Sequence, residues 1–257
     1  EQIATRSPTL MRPSSDQAHC SDKLNKIVLD EINNKIRNCI QVNQWKNSYS
    51  VIEWFNSLKN KSNCIFLTFD IVEFYPSITQ ELLEKVIRWA KTITTITDEQ
   101  ESIIYHARKS LLFHGRTPWV KKNNETMFDV TMGSFDGAEI CDLVGLFLLH
   151  DLSKKFGKKF VGLYRDDGLA IIQSKSIRIA DKVRKEMHQI FKAHGLRITA
   201  EISHQTVSFL DITLNLSNKT YTPYMKPNNV PLYINRSSNH PPTIVKQIPQ
   251  SVNKRIS

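Results

Sequence analysis

The segment Phe160-Val161-Gly162-Leu163-Tyr164-Arg165-Asp166-Asp167-Gly168-Leu169-Ala170-Ile171-Ile172 places two adjacent carboxylates between two apolar runs. Aromatic and β-branched residues on both sides of a short polar break predict a β-hairpin. Adjacent like charges at a tight turn repel each other, and a cation is the usual remedy. Such a hairpin asks for a divalent metal and a third carboxylate nearby.

Upstream, Cys64 to Val72 predicts a strand with Ile65, Leu67 and Phe69 on one face and Phe66, Thr68 and Asp70 on the other. Asp70 falls near its end. Phe74-Tyr75-Pro76-Ser77 then turns the chain, and Thr79 caps a helix carrying Leu82, Leu83, Val86, Ile87 and Ala90. Thr97 and Asp98 open another helix, with Gln100 and Glu101 in capping-box spacing, predicted to run to about Phe113. Trp119 to Val130 reads as a hairpin around Asn123-Asn124, Gly133 to Gly137 as a small-residue loop, and Ala138 to Phe156 as an apolar helix. Nearer the N-terminus, Asp22 to Ile40 keeps a helical period in Leu24, Ile27, Val28, Ile32 and Ile36, and residues 49–60 give a shorter helix.

Downstream of the carboxylates, Ser176 opens a helix that turns Ile177, Ala180, Val183, Met187, Ile190 and Phe191 to the core, with Gly195 behind its C-terminus. Leu196 to Ile202 and Phe209 to Leu216 read as strands. From Cys64 onward the order is β-α-β-β-α-β with a helical insertion, similar to a split ferredoxin-like sheet. That topology sets the first strand beside the hairpin, so Asp70 is expected to face Asp166 and Asp167. Three such carboxylates suit two Mg²⁺ ions roughly 3.5–4 Å apart, an arrangement that clamps both oxygens of a phosphoryl transfer.

The composition fits a polyanionic partner. The 257 residues carry Lys+Arg 35 against Asp+Glu 25, a net charge of +10, which points to nucleic acid before a membrane surface. No acid follows Asp211, whereas Lys219, Lys226, Arg236, Lys246, Lys254 and Arg255 do; a segment of one sign suits a surface that tracks phosphates. Cys20, Cys39, Cys64 and Cys141 form no C-x-x-C pair, so neither a zinc site nor a disulfide is expected. The longest apolar stretch, Leu143 to Leu149, is too short to span a bilayer. No signal peptide is visible, and an intracellular setting, nuclear or cytoplasmic, is expected. The pattern reads as a fragment of a longer protein.

Phe69-Asp70-Ile71-Val72-Glu73-Phe74-Tyr75-Pro76-Ser77-Ile78 resembles motif A of reverse transcriptases, and Tyr164-Arg165-Asp166-Asp167 their motif C. Phe209-Leu210-Asp211-Ile212 resembles the segment that grips the primer end. Lys226-Pro227 and Ser238-Asn239-His240-Pro241 are similar to the thumb region of Penelope-like retroelements. The resemblance covers roughly residues 20–257. It implies an α+β, right-hand polymerase fold: partial helical fingers over 1–63, a ferredoxin-like palm over 64–216, and the start of a thumb over 217–257. It implies RNA-templated DNA synthesis with an RNA template, a DNA primer, deoxynucleoside triphosphates and two Mg²⁺ ions, which Mn²⁺ can replace.

The same resemblance assigns roles. Asp70 and Asp166 become the principal metal ligands, Asp167 a weaker one, and the Ile71 carbonyl completes a shell. Phe74 and Tyr75 line the nucleotide, Tyr75 as the bulky residue that excludes a 2′-OH, with Gly133 and Gly137 in the motif B position. Phe209, Leu210, Lys226, Arg236 and Lys246 contact nucleic acid. Phe135-Asp136 departs from the family's motif B, and Asp136 reads instead as a cap of the next helix. The basic pair expected ahead of motif A has only Arg6, Arg12 and Lys23 as candidates, and the motif D lysine has only His204 in its place. Three other readings stay open: a decayed or domesticated relative that binds nucleic acid without synthesis, an RNA-copying RNA polymerase, and a nuclease using Glu73 as a fourth acid.

Overall fold

The computed structural model describes residues 16–108, 112–114, 117–119, 128–130, 134–225, 239 and 241–256. The chain divides into two units, Glu1–Pro223 and Tyr224–Ser257. In chain order the first holds α1 (Asp16–Ile40), β1 (Asn43–Gln44), α2 (Ser48–Ser57), β2 (Ile65–Ile71), α3 (Phe74–Ser77), α4 (Gln80–Lys91), α5 (Asp98–His106), β3 (Leu112–His114) and β4 (Thr117–Trp119). There follow α6 (Gly137–Phe156), β5 (Val161–Tyr164), β6 (Asp167–Ile172), α7 (Ile177–Ala193), β7 (Ile198–Ser203), β8 (Thr206–Phe209), β9 (Ile212–Asn215) and β10 (Thr220–Pro223). The second unit holds α8 (Pro242–Ile256).

The main sheet has the order β1-β5-β6-β2-β7. Without β1, its strands run fourth, first, third, second and are antiparallel throughout, which is the split βαββαβ arrangement. β1 adds a parallel edge to β5. β8, β9 and β10 make a separate antiparallel sheet.

β2 shows why two cores form. Ile65, Leu67, Phe69 and Ile71 join the larger cluster with side chains of α1, α4, α6 and α7. Phe66 points the other way, to a smaller cluster with Leu169, Ile171, Trp54, Phe55, Val207 and Phe209. The sheet is therefore covered by helices on one face, and by α2 with the β8–β9 hairpin on the other. This is the alternation expected of a strand buried on both sides.

Local signals set several helix ends. The Thr79 hydroxyl accepts from the Leu82 N–H at 3.1 Å, and Thr97 and Gln100 form a reciprocal capping box. α7 closes in a Schellman motif: Leu196 N–H bonds Phe191 O, Gly195 N–H bonds Lys192 O, and Gly195 takes φ 74°.

Five expectations change. The buried stripe of α1 is Asn25, Val28, Leu29, Ile32, Asn33 and Ile36, while Leu24 and Ile27 are exposed. Asn33 is buried because it donates to the Glu139 carbonyl at 2.9 Å, and Asn25 because it donates to Asp136. α5 stops at His106 rather than near Phe113, since Arg108 must leave the helix to reach the core. The described hairpin is β3–β4, ahead of the predicted one at 119–130, most of which lies outside the described residues. Ile177 is 63% exposed, at the edge of the apolar stripe of α7. The strand predicted over Phe209–Leu216 breaks into a hairpin at Leu210-Asp211.

Gly168 fixes the register of the carboxylate hairpin. It lies opposite Phe69, and a Cβ there would stand 2.0 Å from the Phe69 ring. That ring is buried against Phe191, with centroids 5.6 Å apart, so it has nowhere to move. Gly168→Ala is expected to cost about 1–3 kcal/mol by overpacking, read as a lower urea midpoint at unchanged slope.

Candidate functional site

β2 and β6 bring the expected acids together at one end of the main sheet. Asp70 lies in register opposite Asp167, and the Ile71 N–H bonds the Asp166 carbonyl at 3.1 Å. Directly opposed residues of an antiparallel pair share a face. Asp70 and Asp167 therefore lie on the face that carries Phe66 and Leu169, away from the helical layer.

The turn between β5 and β6 has two residues, Arg165 and Asp166, closed by the pair Tyr164 and Asp167. Arg165 takes φ 53°. For a bulky residue this left-handed conformation costs about 1–2 kcal/mol, and such strain persists only where the surroundings impose it. Leu210, first of the two residues in the β8–β9 turn, has the same φ of 53° and is likewise followed by an aspartate.

The Asp70 carboxyl reaches solvent, yet partial burial pushes its pKa above the usual carboxylate range, and the Asp166 charge pushes it further. The folded protein thus holds this proton to higher pH than the unfolded chain does. The group's contribution to stability falls as pH climbs through its titration. The repulsion seen here is between Asp70 and Asp166, across the two strands.

Tyr75 stands beside it on α3, half-buried. Burial raises its pKa, and its hydroxyl hydrogen-bonds the thiol of buried Cys141 on α6. The ring packs against the larger cluster. Phe74, by contrast, is 2% exposed and belongs to the core, so it supports Tyr75 rather than lining a nucleotide. The Arg165 charge reaches Tyr75, Cys141 and Asp142. Asp142 in turn takes Arg37 Nη2 at 2.6 Å, and its carbonyl takes Gln44 Nε2 at 2.7 Å. This network ties the turn side to α1, β1 and α6.

The remaining predicted residues divide. Gly137 is the buried first residue of α6. Phe209 is buried with its ring 5.5 Å from Trp45, which leaves Leu210 nearer the surface. Lys246 is exposed on α8 in the second unit. Gly133, Lys226, Arg236, Arg6 and Arg12 lie outside the described residues, and Lys23 is exposed on α1. His204 follows the end of β7, five residues beyond Thr199, the partner of Asp70, or roughly 17 Å along the strand. It is too far to serve the carboxylates.

Asp136 holds the N-cap position of α6 but makes no side-chain cap bond. Its carboxylate instead pairs with Arg108 and accepts from Asn25, with both charged groups almost wholly buried. It anchors the start of α6. Sequence reasoning also missed Arg197, whose carbonyl takes the Val72 N–H at 2.9 Å and whose guanidinium lies 3.9 Å from Glu73. Two residues before Thr199, it is a cation on the carboxylate face; its only sequence signal is its place just after Gly195.

Among the described residues, no three His, Cys, Asp or Glu side chains gather closely enough to hold an ion by themselves. The acids that do meet are all-oxygen donors. That chemistry fits Mg²⁺, which takes one or two carboxylates and completes its shell with water and substrate phosphates.

No family model matches the chain, and no curated protein matches it. Solved structures do. Apo telomerase from Candida tropicalis superposes with a TM-score of 0.63 at 12% identity, covering 79% of this chain and 40% of that one. The fold is polymerase-like. Telomerase from Candida albicans, solved with a TWJ fragment of telomeric RNA, gives 0.58 at 13% identity over 86% of this chain and 39% of that one. The RNA-dependent RNA polymerase of a human picobirnavirus gives 0.51 at 12% over 76% and 38%. The chain thus spans about 40% of the length of these three neighbours. No described helix is long and apolar enough to cross a membrane.

Proposed function

We propose that the chain carries the palm of an RNA-directed DNA polymerase similar to those of Penelope-like retroelements, acting in the nucleus or cytoplasm. The observation that carries this reading is Asp70 held in electrostatic contact with the Asp166 turn, at the end of a fourth-first-third-second sheet. On this reading 1–63 is partial fingers, 64–216 the palm with its helical insertion, and 217–257 the start of the thumb.

Asp70 and Asp166 would hold two Mg²⁺ ions, with Asp167 and the Ile71 carbonyl as further ligands. When bound, the ions activate a primer 3′-OH and neutralise the triphosphate. The chain's own work is positioning. The strained turn presents Asp166, Gly168 keeps the hairpin in register, and Arg197 offers a cation to the triphosphate. Leu210 and Lys246, with Lys226 and Arg236, meet primer and template.

The test is extension of a DNA primer on an RNA template with deoxynucleoside triphosphates. Activity is expected with Mg²⁺ or Mn²⁺ and none after chelation. A full-length protein that fails with both ions overturns the proposal.

Tyr75 separates this reading from an RNA polymerase. An aromatic ring held by Cys141 leaves no room for a 2′-OH. Tyr75→Ala is expected to raise ribonucleotide incorporation by roughly 10–100-fold, the range expected for one steric contact in a pocket. Unchanged sugar selectivity removes the gate.

A further inference from the structure

We propose that the outward ridge of α7 is a second nucleic-acid contact, a track for a phosphodiester backbone on the face of the sheet remote from the carboxylates. α7 buries Ala180, Met187 and Phe191, with Val183 and Ile190 half-buried beside them, in the cluster that contains Leu67 and Phe69. That is the sheet face opposite Asp70.

Residues at i, i+4, i+7, i+11 and i+14 align on one side of a helix. Counted from Arg178 they are Lys182, Lys185, Gln189 and Lys192, and all five are exposed. They lie opposite the buried stripe and include no acid. The two acids of α7 lie beside the ridge: Asp181 engages Arg184 at 2.8 Å and the ridge's own Lys185 at 3.6 Å, and Glu186 engages Lys155 at 3.6 Å, which leaves Arg178, Lys182 and Lys192 as ridge cations outside these pairs.

From Arg178 to Lys192 the ridge runs about 21 Å. A duplex presents a phosphate about every 3.4 Å of axis on each strand, so a row of this length meets several. Long, exposed cationic side chains in a row suit contact with the backbone rather than with bases. A membrane surface is the poorer partner. The exposed apolar residues, Ile177 and Ile179, lie off the ridge at the first turn of α7, whereas interfacial helices bury an apolar face along their length. The inference does not depend on the catalytic reading, since it uses neither the carboxylates nor their chemistry.

The experiment is a salt titration of binding to a labelled RNA hairpin, followed by fluorescence anisotropy. Wild type is compared with the quadruple variant Arg178→Gln, Lys182→Gln, Lys185→Gln, Lys192→Gln. A reference variant, Lys46→Gln with Lys59→Gln, removes charge at the two ends of α2, on the other face. The quadruple variant is expected to bind at least about tenfold more weakly and to flatten the log–log salt slope by roughly 2–4, at about 0.9 per phosphate released. The double variant Arg178→Gln, Lys182→Gln is expected to give about half that change, and it serves if the quadruple variant unfolds. An equal loss of slope per charge in the reference variant overturns the proposal, because net charge alone then explains binding. So does an unchanged slope, and so does a loss confined to anionic phosphatidylserine vesicles.

Discussion

Asp70→Asn and Asp166→Asn are each expected to lower primer extension by roughly a thousandfold or more, about 4 kcal/mol of transition-state stabilisation. Asn keeps the shape of Asp but loses the charge that binds a hard cation. The two acids already sense each other in the protein, since the Asp166 charge holds the Asp70 proton more tightly. Removing one charge therefore relieves a repulsion in the metal-free protein. The expected pattern is opposite in sign for the two readouts: activity is lost, while the thermal midpoint without divalent metal holds or rises. Mg²⁺ should stabilise wild type through binding to the native state and stabilise each variant less. Extension that survives Asp166→Asn would sink the two-metal mechanism. Intact activity in both variants would favour a domain that uses these acids structurally.

The second large effect lies away from the chemistry. Arg108 and Asp136 form an ion pair whose side chains are 1% and 0% exposed. Asp136→Ala leaves a guanidinium buried without its counter-charge, a loss expected to cost about 3–5 kcal/mol. In a chain of this size that is a fall of roughly 10 °C or more in midpoint. Replacing both partners by apolar residues, Arg108→Met with Asp136→Leu, is expected to recover most of the loss, because desolvation offsets much of the pair's attraction. Urea denaturation of the two single variants and the double one forms the cycle. Coupling below about 0.5 kcal/mol would mean that the pair is not a clamp.

The parts of the fold governed by short-range chemistry were legible. Thr79 and Thr97 announce their helices because a hydroxyl must satisfy the first free N–H groups. Ile65 to Ile71 alternate because the strand has two buried faces. With the element order, these were enough to bring Asp70 to the Asp166-Asp167 hairpin. What failed was set by distant partners. Asn25 and Asn33 look solvent-facing until Asp136 and the Glu139 carbonyl, more than a hundred residues away, are packed against them. β1 is two residues long and exists only because β5 offers an edge. Leu210 carries no turn signature; only the pairing of Phe209 with Ile212 makes it bend. Asp136, an oddity beside a nucleotide, becomes intelligible once Arg108 is its neighbour.

The two-residue turns that open on a left-handed, non-glycine residue bear on the order of assembly. Arg165 and Leu210 each hold φ at 53°, a conformation the free chain avoids, so neither turn can nucleate its own hairpin. Strand pairing around the buried face of β2 has to come first and impose the bend. The loops that carry Asp166 and Asp211 are then late features of folding, each formed once the strands of its own sheet are paired, and substitutions in them are expected to act on unfolding rather than on folding rates. The charge-bearing end of the sheet is closed last, after the core beneath it has set.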